Sequence, residues 1–170
     1  MLRVVTPATT EPVTVDDVKA HLRVTHAADD ALLTAQITAA REYIEAFTGL
    51  ALAGVEYSWH PEARGYAGWR PALPLWPATV SEVSYYDGEG RLIASSDDYR
   101  FDADRGEVTL GGWMEPSVTF TVAPDHVPES LKSAIKLRVQ AEYEADPEDA
   151  ARLRDASERI AWPWRRGLGV

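Results

Sequence analysis

Apolar residues recur with helical spacing at both ends of this chain and alternate with polar ones through its middle. Val15, Val18 and Leu22 share one stripe, which predicts a short helix over residues 15–23. Thr14 stands where an N-cap hydroxyl accepts from the Asp17 amide, and Thr14-Val15-Asp16-Asp17 resembles a capping box with aspartate in the glutamate position. Val13 and Val18 occupy the two positions of a hydrophobic staple. Asp29-Asp30 opens a longer helix, predicted over residues 31–48. Its stripe is Leu33, Ile37, Ala40, Ile44 and Phe47, alternating four and three residues apart. Thr48-Gly49 ends it, with Gly49 free to take the left-handed conformation.

From Val55 the period becomes two. Val55–Trp59, Thr79–Tyr86, Arg91–Ile93, Tyr99–Phe101, Glu107–Leu110 and Ser117–Val122 read as strands. Asp87-Gly88-Glu89-Gly90 and Asp102-Ala103-Asp104-Arg105-Gly106 carry the chemistry of hairpin turns. Residues 61–77, rich in proline, glycine and tryptophan, predict an extended link in which no helix survives. Helical spacing returns after Pro128: Leu131, Ala134, Ile135, Val139 and Tyr143 share a face, predicting a helix over 129–145. Asp146 can cap a last helix over 148–161, with Pro147 in its first position and a thin stripe of Leu153, Ala156 and Ile160. The expected class is α+β. Two N-terminal and two C-terminal helices pack together as a four-helix core, and a β-rich insertion over about 50–126 lies between helices 2 and 3. The whole of 1–170 reads as a single domain with a tail over 162–170.

Composition narrows the chemistry. At 170 residues the chain can bury a core without staples, and having no cysteine it holds no disulfide, thiolate nucleophile or cysteine-ligated metal. No apolar run approaches a membrane span, and no signal-peptide pattern opens the chain, which predicts a soluble protein kept on the cytoplasmic side. The net charge is −10, unevenly placed. Residues 151–170 carry Arg152, Arg154, Arg159, Arg165 and Arg166 against Asp155 and Glu158, a net of +3 that leaves −13 for the rest. An acidic body repels nucleic-acid phosphate, which argues against general DNA binding.

The motifs of catalysis are missing. His21, His26, His60 and His126 show no zinc spacing, and there is no phosphate loop, dinucleotide fingerprint or nucleophile elbow. Asp97, Asp98, Asp102 and Asp104 do not fit a twelve-residue calcium loop and read as turn residues. No carboxylate pair is singled out for glycoside hydrolysis. The expectation is no enzyme, no catalytic residue, no cofactor and no metal. Six tryptophans stand out: Trp59, Trp69, Trp76, Trp113, Trp162 and Trp164. Those outside regular elements can be sugar-stacking platforms, plugs in the protein's own core or interface anchors. A carbohydrate-binding module using Trp69, Trp76 and Trp113 is the alternative function, although it leaves the four helices without a purpose.

Several stretches together carry a family resemblance. They are Val13-Thr14-Val15-Asp16-Asp17-Val18-Lys19-Ala20-His21-Leu22-Arg23-Val24, Asp29-Asp30-Ala31-Leu32-Leu33 and Ala39-Ala40-Arg41-Glu42-Tyr43-Ile44-Glu45-Ala46-Phe47-Thr48-Gly49. Further on come the proline-led strand Pro74–Asp87, then Tyr99-Arg100, then Val127-Pro128-Glu129-Ser130-Leu131. In this order and spacing they resemble the head–tail connector (adaptor, or head-completion) family of long-tailed phages and gene transfer agents; residues 61–71 are longer and richer in tryptophan than the family's link. The resemblance implies a structural virion protein, held in the host cytoplasm before assembly. It implies a homo-oligomeric ring, a dodecamer, closed by heterologous contacts below the portal protein. The ring meets the next connector or tail-terminator protein and lines the exit channel for double-stranded DNA, without sequence-specific binding and without a membrane. It also implies that the basic, aromatic tail engages the portal, through Trp162, Trp164, Arg165, Arg166 and Leu168.

Overall fold

The structure is a computed structural model that describes residues 1–61, 68–86, 91–93, 99–111, 115–144 and 146–166. The turn at 87–90, Asp97, Asp98, Trp113 and Leu168 lie outside the described residues. The chain is α+β, with four α-helices and antiparallel sheets among the described residues, and divides into two compact units. One comprises Met1–Thr9 with Ala53–Pro124, the other Thr10–Leu52 with Asp125–Val170.

The second unit is helical: α1 (Val15–Leu22), α2 (Asp30–Thr48), α3 (Glu129–Tyr143) and α4 (Pro147–Ala161), which runs into a 3₁₀ turn over Trp162–Trp164. Its core joins Val13 and Val18 to Leu33, Ile37, Ala40 and Ile44 of α2 and to Leu131, Ala134, Ile135 and Val139 of α3. The α1 cap forms reciprocally. The Asp17 amide donates to Thr14 Oγ1 (3.1 Å), while the Thr14 amide and hydroxyl both donate to Asp17 Oδ2 (3.0 and 2.7 Å). These bonds hold the Asp17 carboxyl below the ordinary aspartate value, the Thr14 hydroxyl contributing most. A lowered folded-state pKa stabilises above the unfolded value, about 3.9, and that stabilisation is lost as pH falls through the folded value. The stability difference between the native chain and Asp17→Asn is therefore expected to be full at pH 7 and to shrink below about pH 4. Urea titrations at the two pH values measure it.

On α4 the packed face differs from the expected stripe. Ala150, Ser157 and Ala161 are its buried residues, whereas Leu153, Ala156 and Ile160 are half-buried beside them. Small side chains let α4 lie close to α3, where Ser157 Oγ donates to the Ala134 carbonyl (2.8 Å). The longer apolar residues then flank the contact rather than fill it. Asp146 caps α4 by accepting from the Glu148 and Asp149 amides (2.8 and 3.2 Å), with Pro147 in the first turn.

The first unit is built on strands: β1 (Leu2–Thr6), β2 (Val55–Trp59), β3 (Ala78–Tyr86), β4 (Arg91–Ile93), β5 (Tyr99–Asp102), β6 (Glu107–Leu110) and β7 (Glu115–Val122). Five form one sheet in the order β1-β2-β7-β3-β4, all antiparallel, and β5 pairs with β6 in a separate hairpin. Asp102 Oδ1 accepts from the Asp104 and Arg105 amides (3.1 Å each), the turn role expected of that aspartate. The extended link runs beside β6 through bridges at Trp69 and Ala72. Strand β1 was not among the expected elements. Its apolar run does not alternate, and tertiary pairing with β2 makes it a strand. The β-rich part therefore draws its edge strand from the N-terminus rather than from the insertion alone.

Candidate interaction surface at the C-terminal arm

Helix α2 ends without a basic residue in its last turn, so its final carbonyls and the negative end of its dipole need partners from elsewhere. The C-terminal arm supplies them. Arg165 Nε donates to the Phe47 carbonyl (3.1 Å) and the Arg166 amide donates to the Thr48 carbonyl (2.6 Å). The Arg165 guanidinium also lies 4.9 Å from the ring centroids of both Phe47 and Trp162, within cation–π range. Trp162 and Phe47 are themselves 6.2 Å apart and tilted by 54°. Trp164 Nε1 donates to Ser130 Oγ at the start of α3 (3.0 Å).

The seat continues up α2. Tyr43 stacks on Phe47 (6.3 Å), and the Arg138 guanidinium of α3 covers the Tyr43 ring at 3.3 Å. The Tyr43 hydroxyl donates to Glu158 of α4, which together with burial raises its pKa. Arg138, the stacked pair Tyr43 and Phe47, Arg165 and Trp162 thus form one continuous run of cations and aromatic rings.

Four of the expected contact residues, Trp162, Trp164, Arg165 and Arg166, are brought together in this way. Trp162 and Trp164 remain 52% and 41% exposed, so each indole is anchored on one side and open on the other. Reading the sequence missed the seat: Phe47 was placed only in the core stripe of α2, against which it does pack, Tyr43 and Ser130 stood only in stretches of the family resemblance, and Arg138 and Glu158 carried no motif. The signal was present in one respect, because a helix with no basic last turn calls for a cation from another element.

A second polar feature lies within the helical unit. Arg41 is buried on α2 and bonds Glu11 (2.7 Å) and Glu45 (2.6 Å), while Glu45 Oε1 accepts from the Leu52 amide (2.7 Å). Thr38 Oγ1 also donates to Glu11 (2.9 Å). Its role is structural anchoring, tying residues 11 and 52 to one helix. Of the other tryptophans, Trp59, Trp69 and Trp76 are half-buried, and Trp76 Nε1 donates to the Ala103 carbonyl (2.9 Å). Among the described residues no cluster of three or more histidine, aspartate or glutamate side chains is arranged to hold a metal, and no helix is long and apolar enough to cross a membrane.

Comparison with known proteins gives two findings. Residues 12–67 match the profile of the family described as phage gp6-like head–tail connector protein. No curated protein matches the chain. Among solved structures, a chain of the neck of an empty GTA particle computed with C6 symmetry is 23% identical, with a TM-score of 0.68. A chain of the virion of a native gene transfer agent (GTA) particle is 24% identical (TM-score 0.66), and one of the neck of a native GTA particle computed with C12 symmetry is 22% identical (TM-score 0.66). Each alignment covers 100% of this chain and 98% of the other. At such identities the likeness is one of fold, and it runs end to end. Residues 12–67, which include α1 and α2, thus carry the signature of the phage gp6-like head–tail connector family, and the chain as a whole has the fold of the neck chains.

Proposed function

We propose that this protein is a structural virion component, a connector subunit that works as one piece over residues 1–170 and joins a DNA-filled capsid to its tail. Copies form a homo-oligomeric ring, a dodecamer, below the portal protein. The ring lines the DNA exit channel and presents its far side to the next connector or tail-terminator protein. The observation that carries this reading is the coincidence of a connector-family match over residues 12–67 with an end-to-end fold match to neck chains computed with C6 and C12 symmetry. The chemistry agrees with it. A conduit must let phosphate pass without gripping it, and outside residues 151–170 this chain sums to −13. The arm residues Trp162, Trp164, Arg165, Arg166 and Leu168 engage the portal, since half-exposed tryptophan beside arginine is the composition of interface hot spots. Electron microscopy of the purified chain mixed with portal rings tests the proposal. A second ring stacked on the portal is the expected image. Bare portal rings at saturating protein reject it.

A further inference from the structure

Large apolar side chains are exposed at seven positions among the described residues, and four of them are Met1, Leu2, Val4 and Val5. All four lie in or next to β1, an edge of the five-stranded sheet. The pairing explains what that edge offers. The backbone groups of Met1 and His60 exchange two hydrogen bonds (2.6 and 2.8 Å), so by antiparallel alternation the N–H and C=O of Leu2 and Val4 point away from β2. The register sets Leu2 opposite Trp59 and Val4 opposite Tyr57, and the next strand continues these rows as Val118 and Phe120. Val118 and Phe120 are fully buried and Tyr57 nearly so, yet the same rows end in Leu2 and Val4, 39% and 45% exposed. An apolar sheet face thus runs off an edge whose backbone is open, and among the described residues no strand covers it.

The sheet has a second edge, β4. Four successive antiparallel pairings separate β1 from β4, so the two run in the same direction. Placed side by side, identical sheets therefore meet β4 to β1, a head-to-tail contact of the kind that closes into rings. Charge favours this pairing over β1 against β1. Arg3 is the sole charged side chain in residues 1–9, and a symmetric β1–β1 pair brings two copies of it together. The rest of this unit carries eleven carboxylates against five arginines; β4 itself holds one of these, Arg91, and in sequence is flanked by four carboxylates, Asp87, Glu89, Asp97 and Asp98.

We propose that the β1 edge is the lateral seam of the assembly, taking as its partner the β4 edge of a second copy of this chain by parallel strand addition. This deepens the ring reading above and rests on it. Because the chain has no cysteine, crosslinks report only introduced thiols. The full-length double variant Val4→Cys/Leu92→Cys, treated with a short bismaleimide, is expected to give a ladder of dimers, trimers and higher species, while each single variant stays monomeric on a denaturing gel. Dimers from Val4→Cys alone, without a ladder from the double variant, overturn the seam. Val4→Pro removes an outward N–H while sparing the bonds to β2, and is expected to raise the concentration needed for self-association about tenfold with unchanged circular dichroism. Unaltered association of that folded variant also overturns the seam. Rings seen on portals without any ladder overturn the seam and leave the connector reading standing. A ladder without stacked rings supports the seam and removes the connector reading.

Discussion

Replacing Arg41 by methionine is expected to lower the free energy of unfolding by about 3–5 kcal/mol, read from urea denaturation at neutral pH. Arg41 is 3% exposed and Glu45 is 2% exposed. Removing the guanidinium leaves the Glu45 carboxylate buried with the Leu52 amide as a donor, and it takes the cation from Glu11 and Glu45 at once. The loss is the cost of an uncompensated buried charge, not the worth of the pair. The double variant Arg41→Met/Glu45→Leu is therefore expected to recover part of it, because no orphaned charge stays inside. A single-variant loss below about 1 kcal/mol contradicts the account. The network also explains why a charged pair sits on a packed helix face: it ties Glu11 and the Leu52 backbone, on the two stretches that lead into and out of the helical unit, to one rigid element.

The second large effect belongs to the arm. Trp162→Ala/Trp164→Ala is expected to weaken binding to portal rings at least about 100-fold, since two central hot-spot side chains together contribute several kcal/mol. Fold stability should change far less. Trp162 rests on Phe47 but is half exposed, so about 1 kcal/mol and a few degrees in melting temperature are expected for its loss. Measured side by side by surface binding and thermal melting, the two readouts separate a contact role from a packing role. Unchanged affinity with normal folding removes the arm from the portal contact.

The local grammar of the chain was largely legible. Thr14 and Asp17, Gly49, and Asp146 with Pro147 each do at a helix end what their side chains and backbone dictate, because capping depends on neighbours within four residues. The stripes of α2 and α3 were legible for the same reason, periodicity being a local property. The face of α4 was not, because Leu153 and Ile160 advertise burial while close approach to α3 selects Ala150, Ser157 and Ala161. Arg41 lies in the apolar register between Ile37 and Ile44, and no local rule says that a charge may stay there.

The candidate site divides in the same way. Composition drew attention to a basic, tryptophan-bearing tail, and the family resemblance pointed to Trp162, Trp164, Arg165 and Arg166 within it. Their seat required the fold, since Phe47 and Ser130 stand far from the arm in sequence and meet it only where α2 ends and α3 begins. By itself the sequence determined the helices, most strands, the α+β class and the acidic balance, all of which follow from neighbouring residues or from sums over the chain. Tertiary structure alone decided that residues 2–6 form an edge strand, that Arg41 is buried with its carboxylates, and that the arm closes the end of α2. The edge strand and the arm depend on partners dozens of residues away, and Arg41 adds Glu11, thirty residues back, to its neighbour Glu45 on the same helix; no periodicity encodes a partner at such a distance.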